Sequence, residues 1–405
     1  MIPFSPPRVD EKTVEAVGEV LRSGWITTGP KTKTFEKRIA DYCGVSSVLC
    51  VASATAGLEL MLRWFGVKEG DEVILPAYTY CATANVVIHC GAKPVLVDVN
   101  DDFTINVDHI RRAITQNTKV IMPVDIGGYP CDYDAIHTLV NDAAIKSLFH
   151  PDSEEQKLLG RILILADAAH SFGALYKSKR CGGLTDISVF SFHAVKNLTT
   201  AEGGAICFNL PKEFNQEELY RYLCCKSLHG QNKDALAKTQ VGNWRYDVIE
   251  AGYKCNMTDI QAAIGLVELE RYESMLARRK AIFDQYTRFF SLYEHFQIPV
   301  YETAECISSY HVYLLRIKDI TEEQRDKIME KIFAGGVSVN VHFIPLPMLS
   351  FYSGLGYKIE DYPKTYQNYA CEISLPVYYT LSDEEVKTVC QTVLDNVLKQ
   401  VTSDE

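Results

Sequence analysis

The sequence has no run of 18 uninterrupted apolar residues, so no bilayer-spanning helix is expected. It has no C-x-x-C pair: thirteen cysteines, an odd number, are scattered along the chain. That argues against an oxidised disulfide framework and for a reducing compartment. No cysteine stands with histidine at zinc spacing, so no structural metal is expected. Positive charge is scarce, with 41 Lys and Arg against 52 Asp and Glu and a net charge of −11. Such a balance argues against a nucleic-acid or anionic-membrane partner. There are no internal repeats or low-complexity tracts. The opening "MIPFSPPRVDEK" has three prolines and no apolar core region. It does not read as a signal peptide, and a cytoplasmic protein is expected.

What is present is an alternation. The apolar runs "SVLCVAS" (47–53), "DEVILPA" (71–77), "PVLVDV" (94–99), "KVIMPVD" (119–125) and "RILILAD" (161–167) are separated by amphipathic stretches. Four of these carry helical apolar spacing, at 55–66, 83–92, 106–116 and 132–144. Two further runs, "SVFSF" (188–192) and "GGAICF" (203–208), follow. Strands separated by single helices predict βαβ units and a largely parallel sheet, buried on both faces. Ligands in such sheets sit beyond the carboxyl ends of the strands. The polar stretch 145–161 reads as an exposed insertion without chemistry. From Thr258, a cap residue, to Tyr293 the spacing predicts one long helix. Beyond it a strand (310–317), a helix (322–336), a strand (337–345) and a helix (383–400) predict a smaller α/β unit. The expected division is a large domain over 1–265 and a small one over 266–405.

The chemistry gathers at strand ends. Lys196 lies in "SFHAVKNLTTAEGG" (191–204), on the crossover between two buried strands. Desolvation there lowers an ammonium pKa, and a neutral amine is a nucleophile. Asp167 ends the run "RILILAD", 29 residues before Lys196 with one strand between them. Both can reach one ring from neighbouring strand ends. An aspartate that keeps a pyridinium charged and a lysine that bonds the aldehyde are the two pieces pyridoxal 5'-phosphate requires. A phosphate site is expected at "ASATAG" (52–57), where Ala54, Thr55 and Ala56 open a helix whose N–H groups attract anions. Ser191 is an added donor, and Tyr80 in "PAYTYCAT" is placed to stack on the ring.

The motifs "ATAGLEL", "DEVILPAYTYCATAN", "GAKPVLVDV", "ADAAHSFGA", "SFHAVKNLTTAEGG" and "GYKCNMTDIQAAIG" follow in the order and spacing of one family. The chain resembles the DegT/DnrJ/StrS pyridoxal-phosphate-dependent nucleotide-sugar aminotransferases, from "GWITTGPKTKTFE" (24–36) nearly to its end. The resemblance implies the aspartate-aminotransferase-like type I fold: a mostly parallel central sheet sandwiched by helices, with a smaller C-terminal α/β domain. It implies a homodimer with shared active sites, and amino transfer to a keto group on a nucleotide-linked sugar, with glutamate as donor. Within it Lys196 looks like the lysine that holds the cofactor and Asp167 like the partner of the pyridine nitrogen. His170 matches a position near the ring oxygen, and Tyr80 the stacking position. Thr55, Ala56 and Ser191 resemble the phosphate site. Asn256 resembles an asparagine that reaches the phosphate from the partner subunit, and His342 matches a position near the sugar. His193 reads as a satisfied core histidine, and Cys255 stands where tyrosine is commoner. A dehydratase on this scaffold carries histidine where Lys196 stands. A regulator that binds the cofactor without turnover keeps the lysine.

Overall fold

The computed structural model describes residues 1–232 and 245–401. Its centre is a seven-stranded sheet built from β1 (Ser47–Val51), β2 (Glu72–Pro76), β3 (Lys93–Val97), β4 (Thr118–Ile121), β5 (Leu163–Asp167), β6 (Ile187–Ser191) and β7 (Gly204–Phe208). The order is β1-β7-β6-β5-β4-β2-β3. All neighbours pair in parallel except β7, which runs against both β1 and β6. The expected mostly parallel sheet is therefore present. Helices α1 (Glu11–Ser23) and α2 (Pro30–Cys43) precede it, and α3 (Ala54–Trp64) and α4 (Cys81–His89) begin at the carboxyl ends of β1 and β2. The turns into α3 and α4 thus open on the same edge of the sheet as Asp167.

Side chains alternate between two cores, as strand geometry requires. Leu49, Val51, Ile206 and Phe208 join one apolar cluster, with α3 and α4. Val48, Cys50, Ala205 and Cys207 join the other, with Phe35, Phe190 and the C-terminal helices. Both faces are buried, which is why the strands read as continuous apolar runs. β5 and β6 are locked at their entrance by Arg161, whose guanidinium grips Asp186 through two hydrogen bonds of 2.8 and 2.7 Å. Asp186 also accepts the Ile164 N–H at 2.9 Å. At the far end of the same two strands Asp167 lies level with Val189.

The second part of the chain differs in places from the sequence reading. Residues 258–293 form two helices, α5 (Asp259–Glu270) and α6 (Tyr272–Phe290). Arg271 between them leaves helical geometry (φ −105°, ψ 7°) and ion-pairs with Asp10 and Glu268. No proline or glycine marks that break. A three-stranded antiparallel sheet follows, from β8 (Phe296–Gln297), β9 (Tyr313–Ile317) and β10 (Glu372–Leu375), in the order β8-β9-β10. Residues 337–345 form isolated bridges, Val337 to Ile2 and Asn340 to Ser374, and no strand. β10 takes the place beside β9. Helix α7 (Glu322–Ala334) packs beside this sheet, and α8 (Asp383–Val401) packs on α7 and α6. The stretch 145–161 is not wholly exposed: Gln156 is buried, and its side-chain N–H donates to the Phe65 carbonyl at 2.8 Å.

Gly204 opens β7 directly behind the turn into α3. A Cβ there would stand 2.6 Å from the Ala54 nitrogen and 2.7 Å from the Ser53 carbonyl carbon. Both are backbone atoms and cannot swing aside. Gly204→Ala is predicted to destabilise the fold by about 1–3 kcal/mol. Chemical denaturation checks this; an unchanged midpoint would show that the turn yields freely.

Candidate active site

A cavity of about 350 Å³ opens at the carboxyl ends of the strands. Of the residues singled out from sequence, Ala54, Thr55, Tyr80, Asp167, His170, Ser191, Lys196 and His342 line it. Ala56 and Asn256 do not. Ser53 caps α3, its hydroxyl accepting the Ala56 N–H at 3.1 Å. The N–H groups of Ala54 and Thr55 have no intrahelical carbonyl to bond, and both residues face the cavity. Asn256 is bonded within its own chain: its amide donates to the Thr28 hydroxyl at 2.6 Å and accepts from Lys254. Cys255 is half-buried, with its carbonyl taken by the Ala52 N–H at 2.7 Å.

Lys196 sits on the turn after β6, its N–H bonded to the His193 carbonyl at 2.9 Å. Burial lowers the pKa of its side chain to about 8, against the opposing pull of the Asp167 charge. Asp167 is buried at the end of β5. It accepts the Thr83 hydroxyl at 2.8 Å and the Ala169 N–H at 3.2 Å. Burial pushes its carboxyl up; the Thr83 bond, the Ala169 bond and the Lys196 charge oppose that rise. A carboxylate in such a place requires a cationic or N–H partner.

The histidines divide by environment. His170 Nδ1 accepts the Gly127 N–H at 3.2 Å, so its hydrogen is on Nε2. Gly127 supplies that bond from a left-handed conformation (φ 64°). Burial, with Lys196 and His342 adding to it, holds His170 well below the usual imidazole range. His170 is therefore neutral. His193, read as a core histidine, is instead exposed at the cavity rim, 3.5 Å from Glu202. It lies on the turn beyond the end of β6, where the sheet no longer covers it.

Several lining or supporting groups escaped the sequence reading. His311 packs 4.4 Å from His170 between ring centres, and its Nδ1 meets Asn197 Oδ1 at 2.8 Å. Asn197 adjoins Lys196, yet 114 residues separate it from His311, and no local pattern links them. Thr83, which holds Asp167, read as an ordinary helix residue. Phe4 and Ser5 also line the cavity, Phe4 stacking on His342 at 5.3 Å.

A mostly parallel sheet that delivers a desolvated lysine and a buried aspartate to one cavity defines the class: the fold is that of the type I pyridoxal-phosphate enzymes. The model of the DegT/DnrJ/EryC1/StrS aminotransferase family matches residues 7–150 and 156–394. The chain belongs to that family. The gap in the match, 151–155, falls in the stretch read as an insertion. Spr1654 from Streptococcus pneumoniae, a candidate sugar aminotransferase solved in its PMP form, is 45% identical with a TM-score of 0.95, covering 99% of this chain and 100% of that one. PseC from Helicobacter pylori, an aminotransferase of pseudoaminic acid biosynthesis, is 27% identical with a TM-score of 0.85, covering 98% and 99%. The spore coat polysaccharide biosynthesis protein SpsC of Bacillus subtilis is 35% identical over 98% of this chain and 97% of its own.

In protein freed of cofactor, the Lys196 amine is expected to react with an amine-directed acylating reagent with a midpoint near pH 8. Asp167→Asn should move that midpoint lower, because the lost negative charge no longer favours the ammonium. Labelling read by peptide mass spectrometry checks both. A midpoint in the ordinary lysine range, about 10, would contradict the desolvation of this amine.

Proposed function

We propose that this chain transfers an amino group from an amino acid, glutamate in the first instance, to the keto group of a nucleotide-linked sugar, with pyridoxal 5'-phosphate as cofactor. The product would enter surface polysaccharide or a related glycan. One observation carries the reading: an amine lowered to about pH 8 shares a cavity with a buried carboxyl that lacks a full counter-charge. The family assignment, the PMP and PLP forms of Spr1654 and the polysaccharide role in the name of SpsC support it.

The residues fit the cofactor. Lys196 would bond its aldehyde carbon, and Asp167 would take the pyridine N–H and so gain the cation its burial calls for. Ala54, Thr55 and Ser191 would bind the phosphate at the N-terminus of α3. Tyr80, exposed at the cavity edge and 5.5 Å from Phe343 between ring centres, would cover a ring face. His170 would present Nε2–H to the ring oxygen. Bound there, the ring accepts the electron pair left when the donor's α C–H bond breaks.

The chain's own groups then account for the proton. Lys196 Nζ, its pKa lowered to about 8, takes the α proton and returns one where the amino group is set down. Asp167 holds the ring-nitrogen proton in place throughout, kept oriented by Thr83. Phe4, Phe343 and Val195 line the cavity with apolar surface and would limit the access of water to the reacting carbon.

We also infer a homodimer with shared sites, in which Asn256 serves the partner's phosphate; its position outside this chain's own cavity agrees with that role. A cytoplasmic setting suits thirteen free thiols.

Borohydride reduction of the loaded protein, then peptide mapping, should place the pyridoxyl group on Lys196. A label on another lysine would overturn the assignment. Asp167→Asn should lose activity by several orders of magnitude while retaining some cofactor; near wild-type rates would exclude the ring-nitrogen role. For the shared site, inactive Lys196→Ala and Asn256→Asp chains are mixed with subunit exchange. Heterodimers should regain up to about half the wild-type activity, one site being intact. Verified heterodimers that stay inactive would place Asn256 in its own chain's site.

A further inference from the structure

His342 lines the cavity from the small-sheet side, held from behind by two residues on one face of β10, Ser374 at its ring and Glu372 at its backbone N–H. Ser374 Oγ lies 2.9 Å from His342 Nδ1. The same hydroxyl lies 2.5 Å from Glu372 Oε1. Glu372 Oε2 accepts the His342 backbone N–H at 3.2 Å. The backbone closes the unit, because Asn340 and Ser374 exchange hydrogen bonds of 3.2 and 2.7 Å. Glu372 and Ser374 have no exposed surface. Among the described residues no hydrogen bond reaches His342 Nε2, the ring atom on the far side from Ser374.

We propose that Glu372, Ser374 and His342 form a proton relay that stores a proton on Glu372 and delivers it to the cavity at His342 Nε2. Hydrogen-bond counting fixes its direction. Oε2 already receives the His342 N–H, so a proton on Glu372 belongs on Oε1. It is donated to Ser374 Oγ, the serine hydroxyl donates to His342 Nδ1, and the imidazole hydrogen is left on Nε2. When Nε2 gives up its hydrogen, the serine hydrogen passes to Nδ1 and the Glu372 hydrogen passes to Ser374 Oγ. Three bonds to hydrogen break and three form, one of the three to the acceptor in the cavity. Glu372 ends as carboxylate and Nε2 ends bare. The acceptor class is a substrate oxygen: a keto oxygen replaced by nitrogen leaves as water and needs a proton to do so. That last identification rests on the amino-transfer reading above; the relay itself does not.

The environment suits storage. Burial raises the Glu372 carboxyl to about 8, opposed by Ser374, the His342 N–H, Arg325 on α7 and Arg316 on β9. Tyr78, whose buried hydroxyl has no hydrogen-bond partner among the described residues, and the Cys371 thiol also face it. Burial and the Lys196 charge hold His342 down at about 4. His170 and His311 sit close enough to feel its charge. The imidazole thus stays neutral and passes one proton at a time. Glu372 and Ser374 are positioning residues that act through His342.

The test is the tautomer of His342, read by nitrogen NMR on ¹⁵N-histidine-labelled, cofactor-loaded protein and assigned by loss of its signals in His342→Gln. Wild type should carry hydrogen on Nε2 at about pH 6 and on Nδ1 at about pH 10, with a midpoint near 8. In Glu372→Gln the amide oxygen must keep facing the His342 N–H. Its NH₂ then faces Ser374, and His342 should hold Nε2–H across the whole range. Ser374→Ala should uncouple the tautomer from pH while the Glu372 carboxyl stays in place, itself titrating higher because it loses the serine hydrogen bond. A wild-type tautomer that does not change, or a Glu372→Gln protein that titrates like wild type, would overturn the relay. No substrate is used, so failure of the relay and failure of the amino-transfer reading are separate results. A relay that switches in a protein that aminates no keto-sugar would leave the relay standing and refute the reaction.

Discussion

The site depends on one electrostatic constraint: a carboxyl is buried and an ammonium half-buried at the ends of adjacent parallel strands. Removing either charge from water costs several kcal/mol. The residual attraction between Lys196 and Asp167 offsets part of that cost, which is why each opposes the other's shift. The pair is left short of full compensation. A neutral amine is available near physiological pH, and a carboxyl awaits an N–H⁺. Well-packed apolar residues would be cheaper in stability; the cavity keeps reactive groups instead.

The fold supplies the precision. Arg161 and Asp186 fix β5 against β6 at one end, and Asp167 and Lys196 emerge at the other. α3 and α4 start over the same edge, one bringing the N–H groups of Ala54 and Thr55, the other the Thr83 hydroxyl. Gly204 allows the turn into α3 to lie against β7. Opposite them, the small sheet brings His342, backed by Ser374 and Glu372. The cavity therefore has a charged wall on the large sheet and a neutral imidazole wall made by His170, His311 and His342.

The large sheet and most of this wall were legible because their signals are local. Continuous apolar runs such as "RILILAD", ending in Asp167, and "SVFSF" (188–192) give strands, and small residues before an amphipathic stretch give the turn into α3. Signals that depend on distant partners were not legible. The break at Arg271 comes from ion pairs to Asp10 and Glu268, invisible to apolar spacing. "VSVNVHFIP" alternates like a strand, but β10 occupies the place beside β9. His311 and Glu372 gain meaning only from contacts with Asn197 and with Ser374 and His342, set by tertiary packing. His193 was misplaced for the opposite reason: its turn extends past the sheet that would have covered it.

The central claim is that the Lys196 amine moves the proton at the donor carbon. The most direct measurement is exchange of the glutamate α-hydrogen with deuterium oxide, in protein loaded with cofactor and given no keto-sugar. The account predicts rapid wash-in of deuterium by wild type and its loss by several orders of magnitude in Lys196→Ala. Wash-in at a near wild-type rate by Lys196→Ala, with cofactor still bound, would contradict it.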